Sequence, residues 1–184
     1  MNYPIDISNK VIKTERLILR PFKLSDLDDF YEYAKNPDVG PNAGWPPHKS
    51  KDDSLVILKK FIEHKKTFAI TLNSKVIGSI GIELYKEDEL KELDNLKARE
   101  IGYVLSKDYW GMGIMTEAVK AVIDYLFNEV GLDVIVCGHF IQNDRSRRVQ
   151  EKCGFKHYKL IKYETIMGTI EESWQSLLYK EKAM

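Results

Sequence analysis

The 184-residue chain has no apolar stretch approaching the roughly 18 uninterrupted residues that a membrane helix needs. Its opening, MNYPIDISNKVIKTERLILR, lacks the basic region and apolar run of a secretory signal, so a soluble, cytoplasmic protein with no membrane partner is expected. Cysteine is scarce. Cys137 and Cys153 are too few for a disulfide framework, have no CxxC spacing, and read as reduced thiols. An excess of either charge is missing as well, because 28 Lys+Arg meet 28 Asp+Glu and only 4 His are present. That balance removes the global basicity of a general nucleic-acid or anionic-lipid binder, so no direct nucleic-acid partner is expected. Cys137-x-His139 and Cys153-x3-His157 offer zinc-type ligands, but their spacing and order do not match the usual pairs, and no metal is expected.

What is present is ordinary globular composition, 43% hydrophobic and 30% charged, at a length that suits one domain over residues 1–184. Short β-rich runs alternate with helical spacing, in the order β-α-α-β-β-β-α-β-α-β-β. This predicts an α/β (α+β) class protein with helices packed on a mixed sheet. A β-rich run over Val11–Leu19 ends at Pro21, and Ser25 then opens a helix. Residues 36–49 are rich in Pro and Gly and read as a loop, and Ser50 with Asp53 caps a second helix. Thr67–Leu72 and Val76–Leu84 flank Asn73-Ser74-Lys75 and read as a hairpin. Residues 85–99 read as a charged, solvated insert, and Glu100–Leu105 as the next strand. The long helix after WGMGIMTEA ends at Gly131. A β-rich VIVCGHF, a helix from Asn143 to Cys153 and two further runs around Met167-Gly168-Thr169 complete the chain.

Gly111-Met112-Gly113 at the mouth of a helix is a backbone feature. Glycines permit a tight turn, and the first helical amides point outward with the positive end of the dipole behind them, which suits an anion such as a pyrophosphate. Two familiar phosphate motifs are excluded. No Lys-Ser/Thr pair follows these glycines, and Thr116 stands where a dinucleotide fingerprint has its third glycine.

Leu105-x5-Gly111-x-Gly113-Ile114 opening a helix, followed by Asn143-x-x-Ser146-x-x-Val149-x-x-Lys152-Cys153-Gly154-Phe155, resembles the GCN5-related N-acetyltransferases (GNAT). YWGMGIMTEA, TERLILRPF and GWPPH resemble the branch containing the ribosomal-protein alanine N-acetyltransferases, and the likeness runs from Thr14 to about Tyr179. It implies the GNAT fold, a mixed, mostly antiparallel splayed sheet of about seven strands with about four helices, holding acetyl-CoA between two parallel strands.

By that resemblance the amides of Trp110, Gly111, Met112, Gly113, Ile114, Met115 and Thr116 bind the pyrophosphate. The backbone of Tyr103, Val104 and Leu105 pairs with the pantetheine, Asn143 hydrogen-bonds the same arm, and Ser146 lies near the thioester sulfur. Met115 departs from the family's usual Gly or Ala, in the manner of that branch. Arg145, Arg147, Arg148 and Lys152 form a local positive excess suited to the 3′-phosphate of coenzyme A.

The implied reaction is direct transfer onto a primary amine, either a protein N-terminus or a small molecule. Amide formation needs a proton acceptor for the amine and a donor for the departing thiolate. Ser146 is the candidate donor with Tyr103 as the alternative; Glu100 is preferred to Glu83 as base. Trp45, Pro46, Pro47 and His48 shape the acceptor side, with Trp45 and Glu83 expected to touch the acceptor. A non-catalytic CoA-binding module on the same fold is the competing reading, and the oligomeric state is either monomer or homodimer, with an edge strand in residues 156–181 available for pairing.

Overall fold

A computed structural model describes residues 1–181. Strands β1 (Ile12–Lys13) and β2 (Ile18–Pro21) form a tight hairpin with Ile12 opposite Leu19. Thr14 makes the turn: its hydroxyl accepts from Leu17 N–H at 3.0 Å, and its own N–H donates to Leu17 C=O at 2.9 Å. The single run read from the sequence is therefore two strands, and the sheet has eight rather than about seven.

Helix α1 (Leu27–Ala34) follows a short 3₁₀ turn. Asp26, not Ser25, anchors its start, accepting from Lys23 N–H at 2.9 Å and from Arg20 Nη1 and Nη2 at 2.8 Å each. Helix α2 (Lys51–His64) begins as expected, with Ser50 Oγ accepting from Asp53 N–H. Strands β3 (Thr67–Leu72) and β4 (Lys75–Glu83) are joined by Asn73 and Ser74, whose φ angles of 49° and 67° match the right-handed twist of a two-residue hairpin.

Then come β5 (Ala98–Leu105), α3 (Ile114–Tyr125), β6 (Val134–Phe140), α4 (Asp144–Lys152), β7 (Lys156–Glu164) and β8 (Ile170–Tyr179). The strand order is β1-β2-β3-β4-β5-β6-β8-β7, and every pair is antiparallel except β5 with β6.

The sheet is covered on both faces. Phe68, Ile70, Ile80 and Ile101 pack against Ala118, Val119 and Val122, which recur at helical spacing along α3. On the other face, Ala69 and Val76 meet Phe30 and Tyr33 of α1 and Leu58 of α2. Full burial of such side chains is worth about 1.5–3 kcal/mol each.

The insert is not the solvated loop expected from its charge. Tyr85, Leu90 and Leu93 are buried with Ala98, Val134, Val136 and Leu177 in a third cluster, and a 3₁₀ turn at Lys91–Leu93 sets Leu90 and Leu93 three residues apart on one side. The Met1 amino group donates to Leu93 C=O at 2.8 Å and Leu96 C=O at 2.6 Å, tying the insert down.

The feature that creates a site is a parting of the sheet. β5 and β6 pair only from Ala98 to Ile101, opposite Val134 to Cys137. Beyond that, β5 continues with β4 as far as Leu105, while β6 continues with β8 as far as Phe140. The two halves diverge from Gly102 onward.

Candidate functional site

The parting opens a cleft of about 900 Å³ lined from both halves of the sheet, from α3 and α4, and from the 36–49 loop. Backbone parity decides which groups face it. Lys97 C=O accepts from Asp133 and Val134 N–H, so odd-numbered β5 residues turn their amides toward β6. Ala98 N–H donates to Met1 C=O and Ser106 N–H to Ile77 C=O, so even-numbered ones turn away. Where β6 has diverged, Tyr103 N–H and C=O and Leu105 N–H are therefore turned into the cleft; Leu105 C=O accepts from Trp110 Nε1 at 2.9 Å. Val104, expected to pair with pantetheine, bonds its backbone to β4 opposite Ser79 and offers only its side chain, on the face of α1 and α2.

At one end lies the glycine turn. Gly111 and Gly113 have φ of 75° and 72°, a conformation that side chains with a Cβ resist. The Cβ that Gly111 lacks would meet nothing within 4 Å, and that of Gly113 only Arg16 Nη2 at 3.7 Å, so backbone is open to a ligand on this side. Glu117 N–H donates to Gly113 C=O as the first bond of α3, so helix geometry leaves the amides of Ile114, Met115 and Thr116 unused by the helix. Met115 turns its side chain into the core and does not fill the cradle. Arg16 braces the turn: its Nη1 donates to Met112 C=O at 2.8 Å while its Nε pairs with Glu117 at 2.8 Å. Sequence reasoning gave Arg16 no role. Its only signal was membership of the TERLILRPF run.

Cations line the same end. The Arg145 guanidinium lies 3.6 Å from the Trp110 ring centroid, spanning from α4 to the turn before α3. Arg148 and Lys152 also line the cleft, while Arg147 is engaged by Asp144 at 3.0 Å and Glu151 at 3.8 Å on its own helix.

Tyr103 and Ser146 meet on the α3 and α4 side, with Oη and Oγ 3.0 Å apart. Burial pushes the Tyr103 phenol well up, so it remains a neutral hydrogen-bonding group. Asn143 caps α4 through Oδ1, accepting from Ser146 N–H at 3.1 Å, and its Nδ2 donates to Asn42 C=O at 3.4 Å. Gln150 was not foreseen. Its amide donates to Gly138 C=O at 3.0 Å and to Ser146 Oγ at 3.4 Å, while its Oε1 meets His139 Nδ1 at 3.1 Å. It thereby occupies a β6 carbonyl that the parting leaves without a strand partner. A glutamine in a charged helix carries no sequence signal of such a role.

Glu83 and Glu100 are opposite each other in the β4–β5 register, and both line the opposite side of the cleft. Glu83 is ion-paired with Lys66. Glu100 lies against Gly138 and makes no ion pair among the described residues; burial, with Glu83 adding to it, pushes its carboxyl up to about 7. Trp45 packs over Gly40 and beside His48, whose Nδ1 is 2.7 Å from Ser54 Oγ. Both rings line this end.

The zinc-type residues have other surroundings. Cys137 is buried in the core and the His157 ring stacks on Trp174 at 4.6 Å. Among the described residues no group of three His, Cys, Asp or Glu is placed to hold a metal ion. No helix of the described residues is long and apolar enough to cross a membrane.

A parallel pair that parts over a glycine turn opening a helix is the arrangement that the resemblance to the acetyltransferases implies, and the sequence agrees. The acetyltransferase (GNAT) domain profile matches residues 16–156, and the chain belongs to that family. It is 28% identical over 183 residues, 95% of this chain and 99% of the other, to an uncharacterized N-acetyltransferase p20 of Bacillus licheniformis. An acetyltransferase (GNAT family) crystal structure from Bacillus anthracis superposes with a TM-score of 0.79 at 24% identity, over 92% of this chain and 98% of that one. RimL, a ribosomal L7/L12 α-N-protein acetyltransferase in complex with coenzyme A, gives 0.76 at 16% identity over 92% and 98%. The protein is an N-acetyltransferase.

Proposed function

We propose that the protein moves an acetyl group from acetyl-CoA directly onto a primary amine, a protein N-terminal α-amine or a small molecule, held on the Glu100 side of β5. One observation carries this reading: the parted strands leave Tyr103 and Leu105 backbone groups in the cleft, with a hydroxyl pair on one face of β5 and an elevated carboxylate on the other. The open glycine turn and the cations of α4 fit a pyrophosphate and a 3′-phosphate. Acetyl-CoA, when bound, supplies the activated acetyl group and the sulfur leaving group.

The chain's own groups divide the remaining work. Tyr103 and Leu105 would align an extended amide-bearing arm as a short extra strand. Glu100 would take a proton from the amine as its nitrogen bonds to the acetyl carbon, and Ser146, braced by Tyr103 and Gln150, would give a proton to the sulfur as the carbon–sulfur bond breaks and regain one from water, to which Glu100 releases its own. No covalent enzyme intermediate is needed. The test is incubation with acetyl-CoA and a mixed panel of amines, read by mass spectrometry. A mass gain of one acetyl group on any amine, dependent on enzyme, supports the reading; acetyl-CoA binding without transfer to any of them overturns it.

A further inference from the structure

The acceptor end of the cleft is roofed. From α1, residues 38–48 cross over β5 toward the other half of the sheet and return, as His48 N–H donates to Ala34 C=O at 2.9 Å. On the way the crossing segment is fastened at three points. Asp38 receives Lys107 Nζ at 2.6 Å, beyond the end of β5. Asn42 C=O accepts from Asn143 Nδ2 on α4. Gly44 C=O accepts from Ile166 N–H, at the β7–β8 turn, at 3.0 Å. At Gly44 a φ of 89° favours glycine, and the packing is tight: a Cβ there would lie 3.1 Å from the Tyr163 ring and 3.5 Å from Phe140. Trp45 of the strap itself lines the cleft together with Phe140, Ile161 and Tyr163, and Glu100 supplies a carboxylate.

Resting on the acetyl-transfer reading above, we infer that the acceptor is a small free amine with a compact apolar body, not the N-terminus of a polypeptide. The amino group of a small amine turns toward Glu100 while its body lies against the rings, wholly under the strap. A polypeptide acceptor must also lead its continuing chain out of the cleft. The bonds from the strap to the Asn143 cap and to the β7–β8 turn tie it across the parted halves of the sheet, and a chain leading out between them would have to break those bonds and the packing at Gly44. Apart from the Tyr163 hydroxyl and the Trp45 indole N–H, the four wall residues offer a peptide backbone no side-chain hydrogen-bonding partner, and burying its polar groups against them is costly.

The experiment compares kcat/KM for phenethylamine and hexylamine with that for tetrapeptides beginning Ala-Ser and Ser-Ala, on wild type, Ile166→Pro and Ile166→Ala. Proline removes the N–H that holds Gly44. Alanine keeps it, and the Ile166 side chain is 81% exposed, so alanine tests the loss of the side chain alone. Expected is a preference of at least about tenfold for the small amines in wild type and Ile166→Ala, narrowed in Ile166→Pro by gain on the peptides. Peptides used as well as or better than the small amines by wild type would overturn the inference and leave acetyl transfer standing. A wild-type preference that Ile166→Pro leaves unchanged would overturn the strap as its cause. Absence of transfer to every amine, with acetyl-CoA binding retained, would instead defeat the transfer reading itself.

Discussion

At the scale of single residues, Glu100 makes the sharpest claim. A base must be ionised to accept a proton, so with a carboxyl at about 7 the wild-type kcat/KM should rise with pH through that value. Glu100→Gln should depress the rate at neutral pH and recover toward alkaline pH, where the amine arrives already deprotonated. Recovery should come earlier for an α-amine, near pH 8, than for an alkyl amine, near pH 10, both being approximate reference values. Equal profiles for the two proteins would shift the role to Glu83 or to water.

The same elevated carboxyl has a consequence for stability. Folding raises its affinity for the proton, so between the ordinary carboxylate range and about 7 the native state holds a proton that the unfolded chain has lost, and stability falls as pH rises. Glu100→Gln should therefore melt higher than wild type at pH 8, with the difference closing near pH 4.5; a constant difference would contradict the assignment. For Ser146, replacement by Ala should lower kcat more than it raises KM for acetyl-CoA, since donation to sulfur matters in the transition state. The resemblance to the acetyltransferases singles out Glu100, Tyr103 and Ser146, and the fold brings all three to the cleft. Arg16 and Gln150 were not, because their roles come from partners about 100 and 12 residues away along the chain.

At the scale of elements, the parting of β5 from β6 makes a prediction residue by residue. Coenzyme A should slow hydrogen exchange at the amides of Tyr103 and Leu105, which face the cleft, and leave that of Val104, already paired with β4, nearly unchanged. Slowing at all three alike would mean a general rigidification rather than an added strand. The alternation of even and odd residues could not be read from the sequence, since it depends on which neighbour lies on which side of β5. The insert at 85–99 departs most from its sequence pattern. Its charges predict a solvated loop, but Leu90 and Leu93 share one side of a 3₁₀ turn and bury that side against Val134 and Val136. Leu93→Ala should accordingly cost about 2–5 kcal/mol in urea unfolding, whereas a solvated loop residue would cost under about 0.5 kcal/mol.

At the scale of the whole molecule, the cleft is where the two halves of the sheet are not bonded to each other, so a ligand lying in it adds links that the protein alone lacks. A ligand that binds only the folded state at 100 times its dissociation constant adds about 2.7 kcal/mol. For a chain of this size that corresponds to a rise in Tm of about 5–10 °C, the shift expected with acetyl-CoA. Gly113→Val separates the cradle from the fold. Its φ of 72° makes any Cβ strained, so the variant alone should melt a little lower, yet its side chain is added where only Arg16 lies within 4 Å and no core packing is lost. The quantity to compare is therefore the ligand-induced shift in each protein, not Tm itself. That shift should vanish in Gly113→Val, because the added side chain stands between the phosphates and the amides of Ile114 to Thr116. A variant that melts lower but keeps the full shift would show that the turn is a structural bend and that the phosphates are held by the cations of α4 alone.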